Sequence, residues 1–290
     1  MDVSVKHHYL PEFYLKGFTN TDGTFAIYDK IKNRIKKRLF YPSTHFFDHH
    51  RNSVILNGQI TDFPEKAYAL IDSRTSKIFQ KIQDCEGVPT LSPYEMHGLQ
   101  FFVSDIFWRN PDNDRHFKNP SLYTSFIKEF FKTRDPITGE SISTQIPKEI
   151  FEDESFIMNA FRPLAGPISF EQSHDAFDKW QIGYNPAENF ICSDNPLILK
   201  NPDTTDIFHS DFVFPLSKNH MLIHSDQLKK PIKNVGEGLV AIQLALFFQS
   251  KKYCAGSTKA ILELLMSVPP NENGVNFLKN QIFGSFLNPE

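Results

Sequence analysis

Two early segments of the chain alternate apolar and polar residues with a period of about two, the spacing of a strand with one covered face. Thr24-Phe25-Ala26-Ile27-Tyr28 follows the turn signal Asp22-Gly23, and Arg34 to Tyr41 follows Lys32-Asn33. Together they predict a β-hairpin over about 24–41. The period then lengthens to that of a helix. Pro64 to Gln83 places Ala67, Leu70, Ile71, Ile78 and Ile82 on one stripe, with Thr61 or Asp62 as cap and Pro64 in the first turn. Ser92-Pro93-Tyr94-Glu95 has the form of a capping box, in which the serine and the glutamate satisfy each other's backbone N–H groups. Behind it Leu99, Phe102, Val103, Ile106 and Phe107 form a second stripe, ended by Asn110-Pro111. Helical patterns also cover Ser121 to Lys132 and Lys148 to Phe161, and the turn signals Asp135-Pro136 and Thr138-Gly139 predict a loop over Pro136 to Pro147.

The second half changes character. Phe177 to Tyr184, Phe190 to Ser193, Phe212 to Leu216 and His220 to His224 read as strands. Gly238 to Gln249 reads as a buried helix, Lys252 to Ala255 as a strand, and Thr258 to Met266 as a helix capped by Ser257. Helices gathered early and strands gathered late predict an α+β fold with antiparallel-type pairing, not alternating βαβ units. No segment has the composition of a linker, so the chain reads as one unit over 1–290. It has a helical part at about 62–165, a strand-rich part at about 175–256 and C-terminal helices at about 258–286.

Composition narrows the function classes. Apolar residues make up 40% of the 290 positions, enough for a buried core. Thirty-one cations against 34 anions give a net charge of -3, which excludes a wholly basic nucleic-acid binder and leaves room for a local basic patch. Cys85, Cys192 and Cys254 are far apart and odd in number, against a disulfide scaffold and for a reducing compartment. The stretch Met1 to His8 has no apolar signal region, and the apolar run Leu239 to Phe248 is too short to span a bilayer. The expectation is a soluble cytoplasmic protein with no membrane partner. The 29 phenylalanines imply an aromatic core and no particular activity.

Several clusters could carry chemistry. In His8-Tyr9-Leu10-Pro11-Glu12 the proline sets a short helix that Gly17 ends, with His8 and Glu12 beside its start. An imidazole and a carboxylate so placed can act as an acid/base pair or as two metal ligands; equally, His8 can be a hydrogen-bonded cap. Lys30, Lys32, Arg34, Lys36 and Arg38 occupy even positions while Ile31, Ile35 and Leu39 occupy odd ones. A three-residue loop around Asn33 would keep those cations on one face, either an anion-binding strip centred on Lys32 and Arg34 or a solvated edge. Arg109, at a helix end, can clamp a phosphate or pair with its own helix's carbonyls. Asp194 and Asn195 lie where a strand runs into a turn before Pro196, suited to catalytic groups or to Asx-turns. Neighbouring His49 and His50 diverge on any regular backbone, and His220 and His224 lie too far apart along a strand to share one zinc. No glycine-rich phosphate loop, G-x-S-x-G elbow or H-E-x-x-H pair is present.

Four of these segments together resemble a bacterial family called domain of unknown function 4238. Its members share an opening H-x-x-P-x-F-x-L-x-x-F run, a mid-chain R-x-P, a later S-D-N-P and then F-P-L-S. Here those fall at His8, Pro11, Phe13, Leu15 and Phe18; at Arg109 and Pro111; at Ser193 to Pro196; and at Phe214 to Ser217. Glu12 stands where the family usually has glutamine, and Gly17 where a polar residue is common. The resemblance supplies candidate residues and no reaction.

Two expectations follow. In one, His8, Glu12, Arg109, Asp194 and Asn195 converge in a cleft that hydrolyses a phosphoester or nucleic acid, as a metal-assisted phosphodiesterase or nuclease would. His8 then serves as general base or ligand, a divalent metal as the cofactor with Asp194 as a ligand, and Arg109 as phosphate clamp. In the other, those motifs are turns and caps, and the basic hairpin binds an anionic partner such as nucleic acid. A toxin or phage-defence setting suits either. The sequence is silent on oligomeric state.

Overall fold

The computed structural model describes residues 4–56, 59–118, 132–134, 141–143, 154–171, 179–225, 235–269 and 274–287. The chain opens with strand β1 (Lys6–His8) and the short helix α1 (Glu12–Lys16), which has Pro11 at its N-cap and Gly17 at its C-cap. Strands β2 (Ala26–Asp29) and β3 (Arg34–Ile35) form the expected hairpin, prolonged by a bridge between Phe25 and Phe40. A 3-10 turn (Pro42–Thr44) leads to β4 (Phe47–His49), which pairs with β1. A second hairpin, β5 (Val54–Leu56) and β6 (Gln59–Thr61), precedes the long helices α2 (Phe63–Gln83) and α3 (Pro93–Arg109).

A 3-10 segment (Pro111–Lys118) and the small pair β7 (Lys132–Arg134) and β8 (Ser141–Ser143) follow, then helix α4 (Glu154–Glu171). The strand-rich half holds β9 (Trp180–Tyr184), β10 (Cys192–Ser193), β11 (Ile198–Leu199), β12 (Phe212–Pro215) and β13 (His220–His224). Helix α5 (Val235–Gln249), β14 (Tyr253–Gly256), α6 (Lys259–Ser267) and α7 (Gly274–Asn280) complete it. Two four-stranded antiparallel sheets result, in the orders β10-β14-β2-β3 and β11-β12-β13-β9. The fold is α+β. Among the described residues no helix is long and apolar enough to cross a membrane.

The main apolar cluster runs from Tyr9 to Leu287 and takes side chains from both sheets and from α2, α3 and α5, and a small second one joins Val54, Ala160 and Phe161. Its aromatic centre joins Tyr14, Phe79, Phe102 and Phe214, with Tyr14 stacked on Phe214 at 5.3 Å and Phe79 meeting Phe102 edge-on at 4.5 Å. The opening motif and the F-P-L-S motif therefore meet as core. Tyr14 Oη also donates to the Pro215 carbonyl (3.0 Å), and the Lys218 N–H donates to the Gly17 carbonyl (2.8 Å). A Cβ on Gly17 would stand 2.8 Å from Gln83 Nε2 and 3.0 Å from Ser217 Cβ. The Gln83 amide fills that space and donates to the Phe13 carbonyl (3.0 Å), so the glycine answers a neighbour that a polar side chain there would strike.

Several sequence expectations need correction. Leu70 is 67% exposed; α2 buries Tyr68, Thr75 and Phe79 beside Ile78 and Ile82. The capping box at Ser92 and Glu95 forms as expected, and Lys81 and Ser92 draw the Glu95 carboxyl down to about 2. Helix α6 is capped by Thr258, whose side chain accepts from the Ile261 N–H, and Ser257 lies outside it. Helix α4 runs past Phe161 to Glu171 despite Pro163 and Pro167. The helix expected over Ser121 to Lys132 lies outside the described residues, except that Lys132 begins β7; of the loop expected over Pro136 to Pro147, Ser141–Ser143 form β8 and the rest lies outside them.

Candidate active site around His8 and Arg109

His8 closes β1, where its partner in β4 is Phe47, and the Phe47 ring meets the imidazole edge-on at 5.4 Å. The backbone carbonyl of Ser43 takes one ring N–H, leaving Nε2, which is buried and makes no hydrogen bond. A carbonyl on one ring nitrogen fixes the tautomer in which the other carries the lone pair. Pro11 turns the chain into α1 and brings the Glu12 carboxylate to 4.0 Å from Nε2. Burial lowers the His8 pKa below its ordinary value, against the pull of Glu12 and with the help of the Arg109 charge. The imidazole is thus a neutral base at pH 7.

Arg109 is the last residue of α3 and is 1% exposed. Its Nη1 donates to Asp72 Oδ1 (3.1 Å), its Nε stands 3.5 Å from Asp105 Oδ2, and its guanidinium carbon lies 3.9 Å from the centre of the Tyr68 ring. Tyr68 and Asp72 are one turn apart on α2, and Asp105 is one turn before Arg109 on α3, so two helix faces make the pocket for one guanidinium. Burial opposes the Arg109 charge, but Asp105 and Asp72 outweigh it and hold the group protonated. Burial pushes the Asp105 carboxyl up to about 7 although Arg109 pulls it down. Asp72, less deeply placed, is raised by burial as well and has both Arg109 and His8 as its electrostatic neighbours.

Two further arginines complete the cluster. Arg51 grips Asp114 with Nη1 at 2.9 Å and Nη2 at 2.8 Å, and its Nη2 also donates to the Arg109 carbonyl (3.2 Å). Arg162, from the middle of α4, donates through Nε to Asp114 (3.2 Å) and through Nη1 to the Arg51 carbonyl (3.3 Å) and Asn52 Oδ1 (3.2 Å). Helix α4 can come this close because Gly166 faces α3: a Cβ there would stand 3.1 Å from the Asp105 Cα. Asn52 links the cluster to β1, since its N–H donates to His7 Nδ1 (2.7 Å) and its amide to Glu65 (2.7 Å). After all these bonds, Tyr68 Oη, Arg109 Nη2 and His8 Nε2 remain buried without a hydrogen bond to any described residue, and Arg162 Nη2 has only its ion pair with Asp114 (3.2 Å). Each such group costs about 1–3 kcal/mol unless something binds it.

The other expected residues are bonded to other partners, although Asp194 is tied to Asn110 beside Arg109 and its charge is felt by Tyr9 beside His8. No hydrogen bond or ion pair joins Asp194 to His8. Its carboxylate accepts the N–H groups of Lys251 (2.9 Å) and Lys252 (2.5 Å), and its carbonyl accepts from Asn110 Nδ2 (3.0 Å). Burial raises its pKa against those backbone bonds. Asn195 donates to Asp112 (3.2 Å), so the S-D-N-P turn is fastened to the segment that follows Arg109. Hairpin residues Lys32 and Arg34 are exposed. The basic strip is broken, however: the strands pair as Tyr28 with Ile35 and Asp29 with Arg34, which makes the loop four residues and not three. Lys30 caps the Phe248 carbonyl (2.6 Å), and Lys36 reaches His45 (2.7 Å) and stands over Tyr253. His220 and His224 are internal, bonded to Ser217 and Gly87 and to Ser210. Among the described residues no three His, Cys, Asp or Glu side chains gather as a metal site.

Sequence reasoning missed Arg51, Tyr68, Asp72, Asp105, Asp114 and Arg162. One signal was present: in Phe101-Phe102-Val103-Ser104-Asp105-Ile106-Phe107-Trp108-Arg109 two opposite charges stand four apart within an apolar run, a pair that a helix buries together.

The model of a family described as a protein of unknown function, DUF4238, matches residues 6–253. The chain belongs to this family. No curated protein and no solved structure matches it. The family match covers His8, the Arg109 cluster and the S-D-N-P turn alike.

Proposed function

We propose that the chain is a phosphoester hydrolase, with His8 as general base and Arg109 as the group that holds the phosphoryl oxygens. The observation that supports this reading is the pairing of a lone-pair nitrogen, His8 Nε2, with donors that make no hydrogen bond to any described residue, Arg109 Nη2 and Tyr68 Oη, about one residue, Asp72, that is an electrostatic neighbour of both His8 and Arg109. An anion entering beside Asp72 takes over the donors that the carboxylate now occupies. Water then attacks phosphorus and gives a proton to His8 Nε2, the ester P–O bond breaks, and His8 returns the proton to the departing alkoxide. Asp105 is a positioning residue, since it orients the Arg109 guanidinium through Nε. Glu12, where a glutamine is usual in the family, adds a negative charge that favours protonated His8 during turnover.

The test is release of p-nitrophenol from mono- and bis-p-nitrophenyl phosphate, together with cleavage of RNA and DNA, by wild type and His8→Gln. The side chain of His8 is 17% exposed, so this variant should fold. The expected loss is about 10²–10⁴-fold in kcat. Because the base must be unprotonated and burial lowers its pKa, kcat/KM should hold at neutral pH and fall only on the acid side of the ordinary histidine range. Wild type without activity on every ester, or a His8→Gln variant as active as wild type, overturns the reading.

A further inference from the structure

On the other face of the 111–118 segment lies a cavity of about 420 Å³, separate from the His8 and Arg109 cluster. That volume is within the range of small-molecule pockets, about 300–1,000 Å³. Its walls come from the end of α3, the 3-10 segment, Leu197 and Leu199 at β11, the end of α5 and the helix α7. We propose that this cavity binds a mononucleotide, with the phosphate on Lys279 and Arg115 and the base between the apolar side chains opposite.

Three observations carry it. Lys279 lines the cavity, is 9% exposed, and its ammonium makes no hydrogen bond or ion pair with any described residue. A lysine buried that deeply with no hydrogen-bond acceptor is rare, and a bound anion would supply one. Asp203 and Arg115 both stand close enough to Lys279 for their charges to be felt, the first favouring the ammonium and the second opposing it; Arg115 Nη2 donates to the Pro202 carbonyl (2.6 Å) and lies 3.4 Å from Asp203, a carboxylate that is 83% exposed and so open to exchange for a bound anion. Two cations lining one cavity suit a phosphate dianion better than a single carboxylate.

The second observation is the apolar wall. Ile106, Phe107, Leu197, Leu199 and Phe248 face the same space, and simple inorganic anions have no use for such a surface. A flat heterocycle does, since both its faces are apolar and its edge is polar. The third is the supply of polar side-chain ends. Asn195 uses its Nδ2 on Asp112 and Gln249 uses its Nε2 on the Asn195 carbonyl (2.5 Å), which leaves the oxygen of each amide to accept from a base N–H. Asp112 has no cation on it and is placed to accept from a sugar hydroxyl.

The test is isothermal titration of the full chain with AMP, GMP, CMP and UMP, with the matching nucleosides and with inorganic phosphate. The expected result is binding of at least one mononucleotide, at least about tenfold tighter than its nucleoside and than phosphate, since charge-assisted bonds and stacking both contribute. Lys279→Met should weaken that binding about tenfold or more. Asn276→Asp places a carboxylate in the cavity at an exposed position, should lower affinity likewise, and spares the fold if the lysine variant does not. His8→Gln should leave binding unchanged, which keeps this proposal separate from the hydrolase reading. No binding of any mononucleotide, equal binding of phosphate alone, or retention of affinity in both cavity variants overturns the assignment; so does loss of binding in His8→Gln alone.

Discussion

Asp114 is the carboxylate on which the arginine cluster turns, and its replacement tests whether that cluster is a built unit. It accepts three charge-assisted hydrogen bonds, at 2.9 and 2.8 Å from Arg51 and at 3.2 Å from Arg162. The side chains of Arg51 and Arg162 are 8% and 1% exposed, while that of Asp114 is 22% exposed. Asp114→Asn keeps the volume but removes the charge and one acceptor oxygen, so two buried guanidinium groups lose their counter-ion. Opposite charges about 4 Å apart attract by about 4 kcal/mol at an effective dielectric constant near 20, and part of this is offset because Asp114 no longer has to be desolvated. The expected cost is about 3–5 kcal/mol, the range for breaking a buried pair by removing one partner. Urea denaturation followed by circular dichroism measures it as a lower midpoint at unchanged slope. The exposed pair Arg115 and Asp203, 52% and 83% exposed by side chain, is the control, and Asp203→Asn should cost under about 1 kcal/mol. An Asp114→Asn cost no larger than that of the control refutes the reasoning.

Two more predictions come from the same region. The Asp105 carboxyl, raised to about 7, lies above the ordinary unfolded value near 3.9. Between those pH values the unfolded chain releases a proton that the folded chain retains, so this group's contribution to stability falls as pH rises from about 4 to about 7 and then levels. Asp105→Asn removes that slope: the unfolding free energy of the variant relative to wild type should rise across the window, and a pH-independent difference contradicts the assignment. Gly166→Ala would ordinarily gain up to about 1 kcal/mol in a helix. Here the new Cβ would stand 3.1 Å from the Asp105 Cα, which is backbone of a packed helix, so a loss of about 1–3 kcal/mol in the same urea assay is expected, and a gain would show that α3 and α4 can separate freely.

The elements most readable in the sequence are those fixed by local chemistry. The Ser92 capping box and the Pro11 to Gly17 turn of helix need only neighbouring residues to form, and both appear where the sequence places them. The strand boundaries drift because β-pairing depends on partners far along the chain: Phe190 to Ser193 shortens to Cys192–Ser193, and Lys252 to Ala255 moves to Tyr253–Gly256. For the site, the sequence finds His8, Glu12 and Arg109 but not their company. A stripe read from apolar residues alone puts Leu70 inside and overlooks Tyr68, which is 2% exposed because its ring covers a guanidinium. Arg51 and Arg162 are hidden for the same reason. A charged residue reads as surface unless its counter-ion is known, and Asp114 lies 63 and 48 residues away from them.

The short segment after Arg109 shows how one element can serve two places at once. A 3-10 turn brings every third side chain to the same side. Asp114 and Phe117 accordingly face inward, the first to the arginines and the second into the core, whereas Asp112 and Arg115 face the cavity. The segment is held from both directions, by Asn110 and Asp112 on the S-D-N-P turn and by Asp114 on Arg51 and Arg162. R-x-P and S-D-N-P therefore meet in the fold: Pro111 opens the 3-10 turn at a residue whose N–H has no partner to lose, and Asp194 and Asn195 anchor it. A slip of one residue in that turn would carry Asp114 away from the arginines and Arg115 toward them, placing like charges together. The register is therefore set electrostatically, and a ligand that binds Arg115 in the cavity holds the same turn that positions Asp114 beneath the His8 and Arg109 cluster.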